Sequence, residues 1–416
     1  MKLKRVVITG LGSLTPIGNS VDETWDSMIN GVSGAEVITY FDPSRFKSQI
    51  ACELKGYDPL NYFDKKESRK MDPFTQYGII AAEQAIADAH LDDDHINKDR
   101  VAVIWGSGVG GVLNFQEQMQ DFFESGRTPR FSPFFVPKMI VDIVPGHISI
   151  KHGYHGANYA TVAACASSAV AIASSLDLIR LGRADVVVTG GSEGAITEAG
   201  IGGFSSMQAL STRNDDPTTA SRPFDKDRDG FVLGEGAASL VLEELEHARA
   251  RGAKIYAEVT GCGMTADAYH ITASHPEGSG AREAMRLAVE DSGMKLEDVQ
   301  HINTHGTSTP IGDISEPKAV VSLFGDHAAN ISLNSTKSMT GHTLGAAGAV
   351  EAMATVLALK NGIIPPTINH FTDDPGIPAL DFTFNKARRR DIDFALSNAF
   401  GFGGHNVCLA FRKFNG

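Results

Sequence analysis

The sequence has few cysteines, and their spacing points to no covalent or metal framework. Four occur in 416 residues, and none shows the close pairing of a disulfide scaffold or a zinc site. They are Cys52, Cys165, Cys262 and Cys408. The start at Met1 leads directly into an apolar strand pattern and shows no export signal. We therefore expect a cytoplasmic protein that is stabilised by a hydrophobic core.

The sequence also lacks a stretch apolar enough to span a membrane. Residues 156–176 are uncharged and long enough, but they include Asn158, Thr161 and four serines. These side chains are too polar for the hydrocarbon core of a bilayer. We predict a buried strand and helix in this stretch, and no membrane association.

Positive charge is scarce. The chain has 37 Lys and Arg residues against 50 Asp and Glu residues, for a formal net charge of −13. Because nucleic-acid binding requires a concentrated positive surface, we expect no nucleic-acid partner. Basic residues nevertheless cluster in the first half, at Lys65, Lys66, Arg69 and Lys70, with Arg127, Arg130 and Lys138 further along. The simplest explanation of the cluster is a solvated helix face.

Apolar residues make up 42% of the chain, enough for one large core or two fused ones, and the length favours two joined domains. Two patterns also occur twice. The first follows Cys165 and again His342: a turn of small residues, then an alanine-rich helix, a glycine and an apolar strand. In the second, residues 229–236 resemble residues 400–405. We therefore predict two related halves, residues 1–255 and residues 256–416.

Cys165 lies at the predicted start of a helix. Apolar residues follow it at helical spacing, and Gly182 is a typical C-terminal stop. The free N–H groups and the dipole of a helix N-terminus can lower the pKa of a thiol, and the thiolate is the nucleophilic form. The alternative is a small buried hydrophobic residue, the commoner role of a cysteine in an alanine-rich helix.

Two histidines in glycine-bounded turns favour the nucleophile. His305 lies in residues 305–310, which have neither helical nor strand periodicity, and reactive side chains concentrate in such loops. His342 opens a periodic helix that Gly362 ends. One thiol and two imidazoles are the groups that covalent acyl transfer uses. The alternative is that each histidine is only a structural turn residue.

Two motif matches fail in context. Residues 106–111 match the glycine pattern of dinucleotide sites, but no convincing acidic residue follows at the ribose position, so we interpret them as a glycine turn. Residues 225–230 begin like a calcium loop, yet its twelfth position is Gly236 instead of a bidentate Glu. Lys226 and Arg228 can offset the nearby carboxylates, which predicts a salt-bridged turn.

Four segments in this order resemble the β-ketoacyl-[acyl-carrier-protein] synthases, specifically the stand-alone elongating enzymes of bacterial type II fatty acid synthesis. They are the Cys165 segment, residues 305–310, residues 337–348 and residues 398–406. The likeness extends from residue 6 to the C-terminus. It departs before the cysteine, where residues 162–164 are Val-Ala-Ala and the family often has Thr or Asp-Thr-Ala. The resemblance implies an α/β, thiolase-like fold in which two duplicated halves form five layers, α-β-α-β-α.

The resemblance implies a decarboxylative Claisen condensation of acyl- with malonyl-[acyl-carrier-protein] through an acyl-Cys165 intermediate. The backbone N–H groups of Cys165 and Phe402 would form one oxyanion hole, and His305 and His342 would hold the malonyl enolate. No catalytic cofactor is implied, since phosphopantetheine arrives on the carrier protein. The product would be 3-oxoacyl-[acyl-carrier-protein].

Other residues receive roles from the resemblance alone. Lys337 would support the histidines through Asp313 and Glu316, because a buried lysine requires a carboxylate partner. Phe402 would gate the acyl pocket. Phe204 would bind substrate there, and Thr307 and Thr309 would contact the pantetheine arm. A structural Na⁺ or K⁺ ion is implied at Asn303, Glu351, Ser397 and Asn398.

The resemblance also changes the interpretation of the basic cluster. The family's partner is an acidic acyl carrier protein, and Lys66, Arg69 and Lys70 fall where the family's docking helix is basic. A basic patch on an acidic enzyme would steer that partner. A homodimer is implied as well, in which residues 131–135 of the partner subunit can contribute to the acyl pocket.

Three related classes are distinguished by their functional residues, since one fold serves all of them. A thiolase needs a second cysteine in the C-terminal glycine turn, where this chain has Gly404 and His405. An initiating synthase uses Cys, His and Asn, whereas His342 supplies a second histidine here. A non-catalytic chain-length partner lacks the nucleophilic cysteine, and Cys165 is present.

Overall fold

The computed structural model describes residues 3–91 and 96–416. The strands are β1 Val6–Leu14, β2 Glu36–Val37, β3 Ile50–Ala51, β4 Val101–Gly106, β5 Asn158–Thr161, β6 Val186–Glu193, β7 Gly236–Glu244, β8 Ala257–Ala266, β9 His301–Asn303, β10 Ser332–Asn334, β11 Ile363–Ile364, β12 Asp381–Phe382, β13 Arg388–Arg389, β14 Phe394–Gly401 and β15 His405–Lys413. The α-helices are α1 Val21–Ile29, α2 Lys65–Ser68, α3 Pro73–Asp88, α4 Val112–Glu124, α5 Phe135–Met139, α6 Ile143–His152, α7 Ser167–Arg180, α8 Glu198–Ser206, α9 Leu245–Ala250, α10 Ser279–Asp291, α11 Gly312–Phe324, α12 Lys337–Thr340 and α13 Ala347–Asn361.

Among the described residues, eleven strands form one mixed sheet in the order β12-β10-β9-β14-β15-β8-β1-β7-β6-β4-β5. Outward from its middle, one side runs β1-β7-β6-β4-β5 and the other runs β8-β15-β14-β9-β10. In both series the first two pairings are antiparallel and the next two are parallel. The two series join where β1 pairs with β8. The duplication predicted from the sequence is therefore confirmed.

Helices cover and separate the two series of strands. The long helix α3 packs on the outside of β1, β7 and β6, and α10 packs on the outside of β8 and β15 beside α11. Between the two series, α7 contacts β6 and β4, while α13 contacts β14 and β7, and the two helices contact each other. This arrangement is the predicted five-layered α-β-α-β-α fold.

The central helices meet at their N-terminal ends because their residues there are small. A Cβ at Gly348 would lie 2.8 Å from the backbone nitrogen of Ala169, so a larger residue would separate the helices. The hydroxyl of Ser168 accepts a hydrogen bond from Ala349 N at 2.9 Å. This contact brings together the two turns that precede α7 and α13, which contain Cys165 and His342.

The ends of these helices agree with the sequence prediction in part. Gly182 and Gly362 follow α7 and α13 with φ of 69° and 62°, as expected for C-terminal stops. His342, however, lies five residues before α13, because a single 3₁₀ turn, Leu344–Ala346, intervenes. His342 therefore belongs to a turn and not to the helix itself.

Neither misleading motif forms the site that its pattern suggests. In the glycine turn that follows β4, the N–H groups of residues 108, 109 and 110 point at the carboxylate of Glu193. In the calcium-like turn, Asp225 accepts hydrogen bonds from the backbone of residues 371 and 372, and Arg228 pairs with Asp374 at 2.7 Å. Across residues 3–91 and 96–416, no helix has the length and apolar character needed to cross a membrane.

Candidate active site

A cavity of about 300 Å³ lies where the two halves meet. Among its lining residues are Cys165, Phe204, His305, Thr307, Thr309, Asp313, Glu316, His342 and Phe402. The structure therefore brings the predicted nucleophile, both histidines and the predicted substrate contacts to one space.

Cys165 lies in a strained turn two residues before α7. The preceding residue, Ala164, has φ of 49°, a left-handed conformation that alanine rarely adopts. The Ser167 hydroxyl braces this turn, since it accepts from Ala163 N at 2.9 Å and donates to Ala164 O at 2.6 Å. The turn holds the thiol at the wall of the cavity.

The environment of the Cys165 thiol differs from the prediction. Burial raises its pKa to about 12, while Lys337 and the backbone N–H groups of Phe402 and Cys165 oppose that rise. Desolvation therefore outweighs these opposing effects, and the resting group is a thiol. The two N–H groups that act on the sulfur are the donors predicted for the oxyanion hole.

His305 and His342 face each other across the cavity. Their ring centroids are 5.4 Å apart and the rings are nearly perpendicular, at 86°. The backbone of His342 is held on both sides, because its N–H donates to Val232 O at 2.8 Å and its carbonyl accepts from Gly234 N at 3.0 Å. The Phe231 ring packs edge-on against His342 at 5.2 Å between centroids.

Both imidazoles are neutral at physiological pH. Burial lowers the pKa of His305 well below its ordinary value of 6.5, and Lys337 and His342 lower it further. Burial and Lys337 have the same effect on the pKa of His342. A neutral imidazole has one N–H to donate, so the pair can stabilise negative charge in the cavity.

Asp313 and Glu316 shape the loop that contains His305. Glu316 accepts hydrogen bonds from His305 N at 2.9 Å and Gly306 N at 3.0 Å. Asp313 accepts from Thr307 N at 3.0 Å and Ser308 N at 3.1 Å. Burial raises the pKa of both carboxyl groups, that of Asp313 to about 6. Both side chains thus hold the loop through its backbone.

Lys337 pairs with a different residue from the one predicted. Its ammonium group forms a buried salt bridge with Glu351 of α13, instead of with Asp313 or Glu316. Glu316 is close enough for Lys337 to lower its pKa, but the two form no direct pair. The predicted partners, Asp313 and Glu316, lie close to the histidine loop in sequence. Glu351 instead lies on α13, in the central layer of helices.

The predicted substrate contacts line the same cavity. The hydroxyls of Thr307 and Thr309 are 3.0 Å apart. Phe402 is half-buried in the hairpin between β14 and β15, where Gly403 and Gly404 have φ of 92° and 76°. The Phe204 ring centroid lies 6.4 Å from that of Phe402. The two phenylalanines thus form one apolar part of the wall.

The residues predicted to hold a monovalent cation present suitable oxygen atoms. The side-chain oxygens Asn303 Oδ1, Asn398 Oδ1 and Glu351 Oε2 are buried without a hydrogen-bond partner among the described residues. Ser397 is the register partner of Asn303 on neighbouring parallel strands. These donors fit a hard cation. The described part of the chain contains no group of three or more His, Cys, Asp or Glu residues placed to bind a metal.

The basic cluster lies on the surface. Lys66 and Arg69 are exposed on and just after α2, and Lys70 is half-buried with its ammonium 5.7 Å from the Phe134 ring centroid. Lys66, Arg69 and Lys70 form no ion pair with another described residue. The predicted docking cluster therefore borders the 131–135 segment that was expected to contact a second subunit.

The sequence interpretation missed Glu193, which is buried at the end of β6 and acts on Cys165 by raising the pKa of its thiol. A carboxylate in an apolar strand followed by small residues was the available signal. The glycine turn at residues 106–111 was the second signal, because consecutive free N–H groups bind anions such as this carboxylate.

Two family profiles together match most of the chain. The profile described as "Beta-ketoacyl synthase, N-terminal domain" matches residues 3–248, and "Beta-ketoacyl synthase, C-terminal domain" matches residues 256–371. The chain belongs to the β-ketoacyl synthase family. The resemblance recognised in the four motifs is thus confirmed.

Relatives within this β-ketoacyl synthase family match over nearly the whole chain. A protein of Staphylococcus aureus (strain COL) named 3-oxoacyl-[acyl-carrier-protein] synthase 2 is 49% identical over 411 residues, which cover 99% of each chain. A protein of the same name from Synechocystis sp. (strain ATCC 27184 / PCC 6803 / Kazusa) is 48% identical over 414 residues, 100% of this chain and 99% of the relative.

Solved β-ketoacyl synthase structures share the fold. A β-ketoacyl synthase from Burkholderia phymatum STM815 superposes with a TM-score of 0.92 at 36% identity, and the ishigamide ketosynthase/chain length factor superposes with 0.93 at 34%. Each match covers 99% of this chain and 100% of the other. A third, with 0.91 and 31% over the same shares, is described as a type II PKS acyl-carrier protein in complex with its ketosynthase bound to the hexaketide.

Proposed function

We propose that this protein is a 3-oxoacyl-[acyl-carrier-protein] synthase. It condenses acyl-[acyl-carrier-protein] with malonyl-[acyl-carrier-protein], with loss of CO₂, in fatty acid elongation. The observation that carries the proposal is the convergence of Cys165, His305 and His342 on one cavity in a chain of this family.

The first half-reaction is a thioester exchange. The sulfur of Cys165 attacks the acyl carbonyl, the bond to the pantetheine sulfur breaks, and the thiol proton leaves with the pantetheine thiol. The exchange is balanced without net proton release, which suits a thiol whose pKa is raised. The backbone N–H groups of Cys165 and Phe402 act on the sulfur in the resting site and are placed to receive the oxyanion.

The second half-reaction uses the two histidines. Loss of CO₂ from the malonyl thioester leaves an enolate, whose carbon attacks the acyl-Cys165 carbonyl and releases the thiolate. Neutral His305 and His342 donate hydrogen bonds to the enolate oxygen while it carries negative charge. The Lys337–Glu351 pair supports this state, since Lys337 lowers the pKa of both imidazoles.

The alternative of thiolase chemistry is not supported by the remaining cysteines. A thiolase needs a second cysteine at the reacting centre, but Cys408 is buried in the core of the C-terminal half. Burial also raises its pKa well above the ordinary value, so it would not serve as an acid or base near neutrality.

An acidic acyl carrier protein would dock at Lys66, Arg69 and Lys70. Support comes from the exposure of Lys66 and Arg69, and from the absence of ion pairs to the three residues within the described part of the chain. The cluster also contrasts with the net charge of −13 of the whole chain. The hydrogen-bonding wall formed by Thr307 and Thr309 would receive the pantetheine arm.

A second copy of the chain would complete the protein as a homodimer. The strand β5 is one outer edge of the large sheet. Large apolar side chains are exposed on β5, just after it, and in the preceding segment from α4 to α6. They are Phe115, Phe131, Phe134, Val136, Ile150, Tyr159 and Val162. An edge strand with exposed apolar neighbours is suited to pairing with another chain.

A structural Na⁺ or K⁺ ion would occupy the oxygens of Asn303, Glu351, Ser397 and Asn398. Its part would be to neutralise Glu351 Oε2, the oxygen that lacks a hydrogen bond. The ion would have no place in the chemical steps, which use side chains and backbone of the cavity.

The decisive experiment incubates the purified protein with acyl carrier proteins loaded with acyl chains of graded length, then adds malonyl-carrier protein. Intact mass spectrometry should show one acyl group on the protein, followed by its transfer into 3-oxoacyl-carrier product. The same experiment ranks the chain lengths. If the protein is never acylated and no condensed product forms, the proposed function is wrong.

A further inference from the structure

The carboxylate of Glu193 is the meeting point of five hydrogen-bond donors. Four come from the glycine turn after β4: the Ser107 hydroxyl at 3.0 Å and the N–H groups of Gly108, Val109 and Gly110 at 2.7, 3.1 and 3.2 Å. The fifth is Gly345 N at 2.9 Å, three residues after His342. One buried carboxylate thus ties the N-terminal half to the turn that leads from His342 into α13.

The glycines on both sides are required by this contact. A Cβ at Gly345 would lie 2.2 Å from Gly108 N and 2.7 Å from a carboxylate oxygen of Glu193. A Cβ at Gly108 would lie 2.9 Å from that oxygen and 3.3 Å from Ala164 O, in the turn before Cys165. The two backbones therefore close over the carboxylate directly beside the nucleophile turn.

No charged partner holds the Glu193 carboxylate in place. It is fully buried, and its hydrogen bonds are to neutral donors, with no salt bridge within the described residues. An ionised group is costly to bury, so convergent N–H donors are needed to retain it. Glu193 does not line the cavity, and the condensation steps above do not use it.

We propose that Glu193 is a positioning residue for condensation, whose carboxylate holds the His342 turn against the nucleophile turn. This inference rests on the proposed function. The turn before Cys165 has its own brace in the Ser167 hydroxyl, whereas Gly345 N is the link between the carboxylate and the His342 turn. Loss of the carboxylate should therefore affect the half-reaction of His342 more than acylation.

The test compares the rates of two half-reactions in Glu193→Gln. Acylation of Cys165 by acyl-carrier protein is followed by intact mass, and decarboxylation of malonyl-carrier protein by CO₂ release. The ratio of decarboxylation to acylation should fall about tenfold, as for the loss of a hydrogen bond to a charged group. An unchanged ratio in the folded variant would overturn the proposal.

Glu243→Gln is the matched control. Glu243 is also a buried carboxylate at a strand of the N-terminal half, but its partners are Thr9, His247 and Arg251, away from the cavity. Glu243→Gln should lower thermal stability without changing the ratio of decarboxylation to acylation. If Glu243→Gln changed the ratio as much as Glu193→Gln, the effect would be general destabilisation and the proposal would fail.

Ser107→Ala decides the question should Glu193→Gln not fold. It removes one of the five donors and should lower the same ratio about threefold, the loss expected for a single hydrogen bond. No change would overturn the proposal. Absence of both rates in the wild type would instead contradict the proposed function, whereas an unaltered ratio in active variants contradicts only the role of Glu193.

Discussion

At the scale of single residues, desolvation decides the protonation states of the site. It raises the pKa of Cys165 and lowers those of His305 and His342, so all three are neutral in the resting protein. The Lys337 charge acts in the same space and is offset by Glu351. Neutral groups suit a reaction that develops negative charge only while substrate is bound.

Cys165 should be the single acylated residue. Its sulfur lines the cavity, whereas Cys52 and Cys408 are buried outside it and Cys262 lies on β8. Peptide mapping after incubation with acyl-carrier protein should place the acyl group on Cys165 and leave the other cysteines free. Acylation elsewhere with Cys165 unmodified would contradict the assignment, and Cys165→Ala is the control that should stay unacylated.

Replacement of His305 or His342 by Ala should separate the half-reactions. Acylation of Cys165 should persist, while malonyl decarboxylation should fall by a factor on the order of 10² to 10³, because only the enolate needs these donors. Single-turnover rates of each step provide the measurement. An equal loss of rate in both steps would show that the histidines do not act selectively in malonyl decarboxylation.

At the scale of elements, the function depends on short segments between regular structures. The His305 loop follows β9, the Phe402 hairpin joins β14 to β15, and the predicted docking cluster lies on and just after the single turn of α2. Neighbours fix two of these segments: Glu316 and Asp313 hold the His305 loop, and Gln76 donates to the backbone of Ser68 in α2 at 2.9 Å. Substitutions in these segments can therefore alter one step without unfolding the protein.

Charge reversal in the docking cluster should affect the carrier protein alone. Lys66→Glu with Arg69→Glu should raise the apparent KM for acyl-carrier protein about tenfold, since exposed ion pairs contribute up to ~1 kcal/mol each. The salt dependence should weaken, and activity on a small pantetheine thioester should stay unchanged. Equal effects on both substrates would assign the cluster to folding.

The matched control for that experiment is Lys386→Glu with Arg389→Glu. Both residues are exposed, so the change in net charge is the same. The KM for the carrier should stay near the wild-type value. A comparable increase would mean that overall charge, and not the α2 surface, governs encounter.

Glu235, in the segment before β7, is a buried carboxylate whose pKa predicts a pH-dependent stability. Burial raises the pKa of Glu235 from 4.5 to about 7, against hydrogen bonds from Tyr40, Tyr77 and Leu54 N. Between these pH values the folded protein binds a proton that the unfolded chain has lost, so this group's contribution to the free energy of unfolding falls as pH rises. In urea titrations, the free energy of unfolding of the wild type should fall relative to that of Glu235→Gln as pH rises over this range. A pH-independent difference would contradict the shift.

At the scale of the whole molecule, two similar halves create a site that neither half contains. The N-terminal half supplies Cys165, and the C-terminal half supplies His305, His342 and Phe402. The halves meet through continuous strand pairing at β1 and β8 and through α7 against α13. Packing of one half on the other therefore controls the distance between nucleophile and histidines.

The protein should have twice its chain mass of 44.3 kDa in solution. Ile150→Glu with Tyr159→Glu places charge at the exposed edge near β5 and should shift the protein to a monomer, as measured by light scattering during gel filtration. Val321→Glu, at an exposed apolar residue of α11, is the control that should stay dimeric. A wild-type monomer at micromolar concentration would contradict the prediction.

The sequence by itself determined the family, the duplicated fold and the residues that meet in the cavity. Cys165, His305, His342 and Phe402 stand in short turns whose glycines and small residues leave a local pattern, so a linear reading can recognise them. The ends of the central helices at Gly182 and Gly362 follow from the same local chemistry.

Only the tertiary structure decided the partners and the protonation states. Lys337 pairs with Glu351 because α13 passes beside it, whereas the family resemblance implied Asp313 and Glu316. The helix start alone predicted a lowered pKa for Cys165, but burial by both halves reverses the direction. The importance of Glu193 is seen only in the folded protein, where the N–H groups of residues 108 and 345, distant in sequence, both donate to its carboxylate. Pairing and desolvation depend on distances between elements, and those distances are properties of the packed fold.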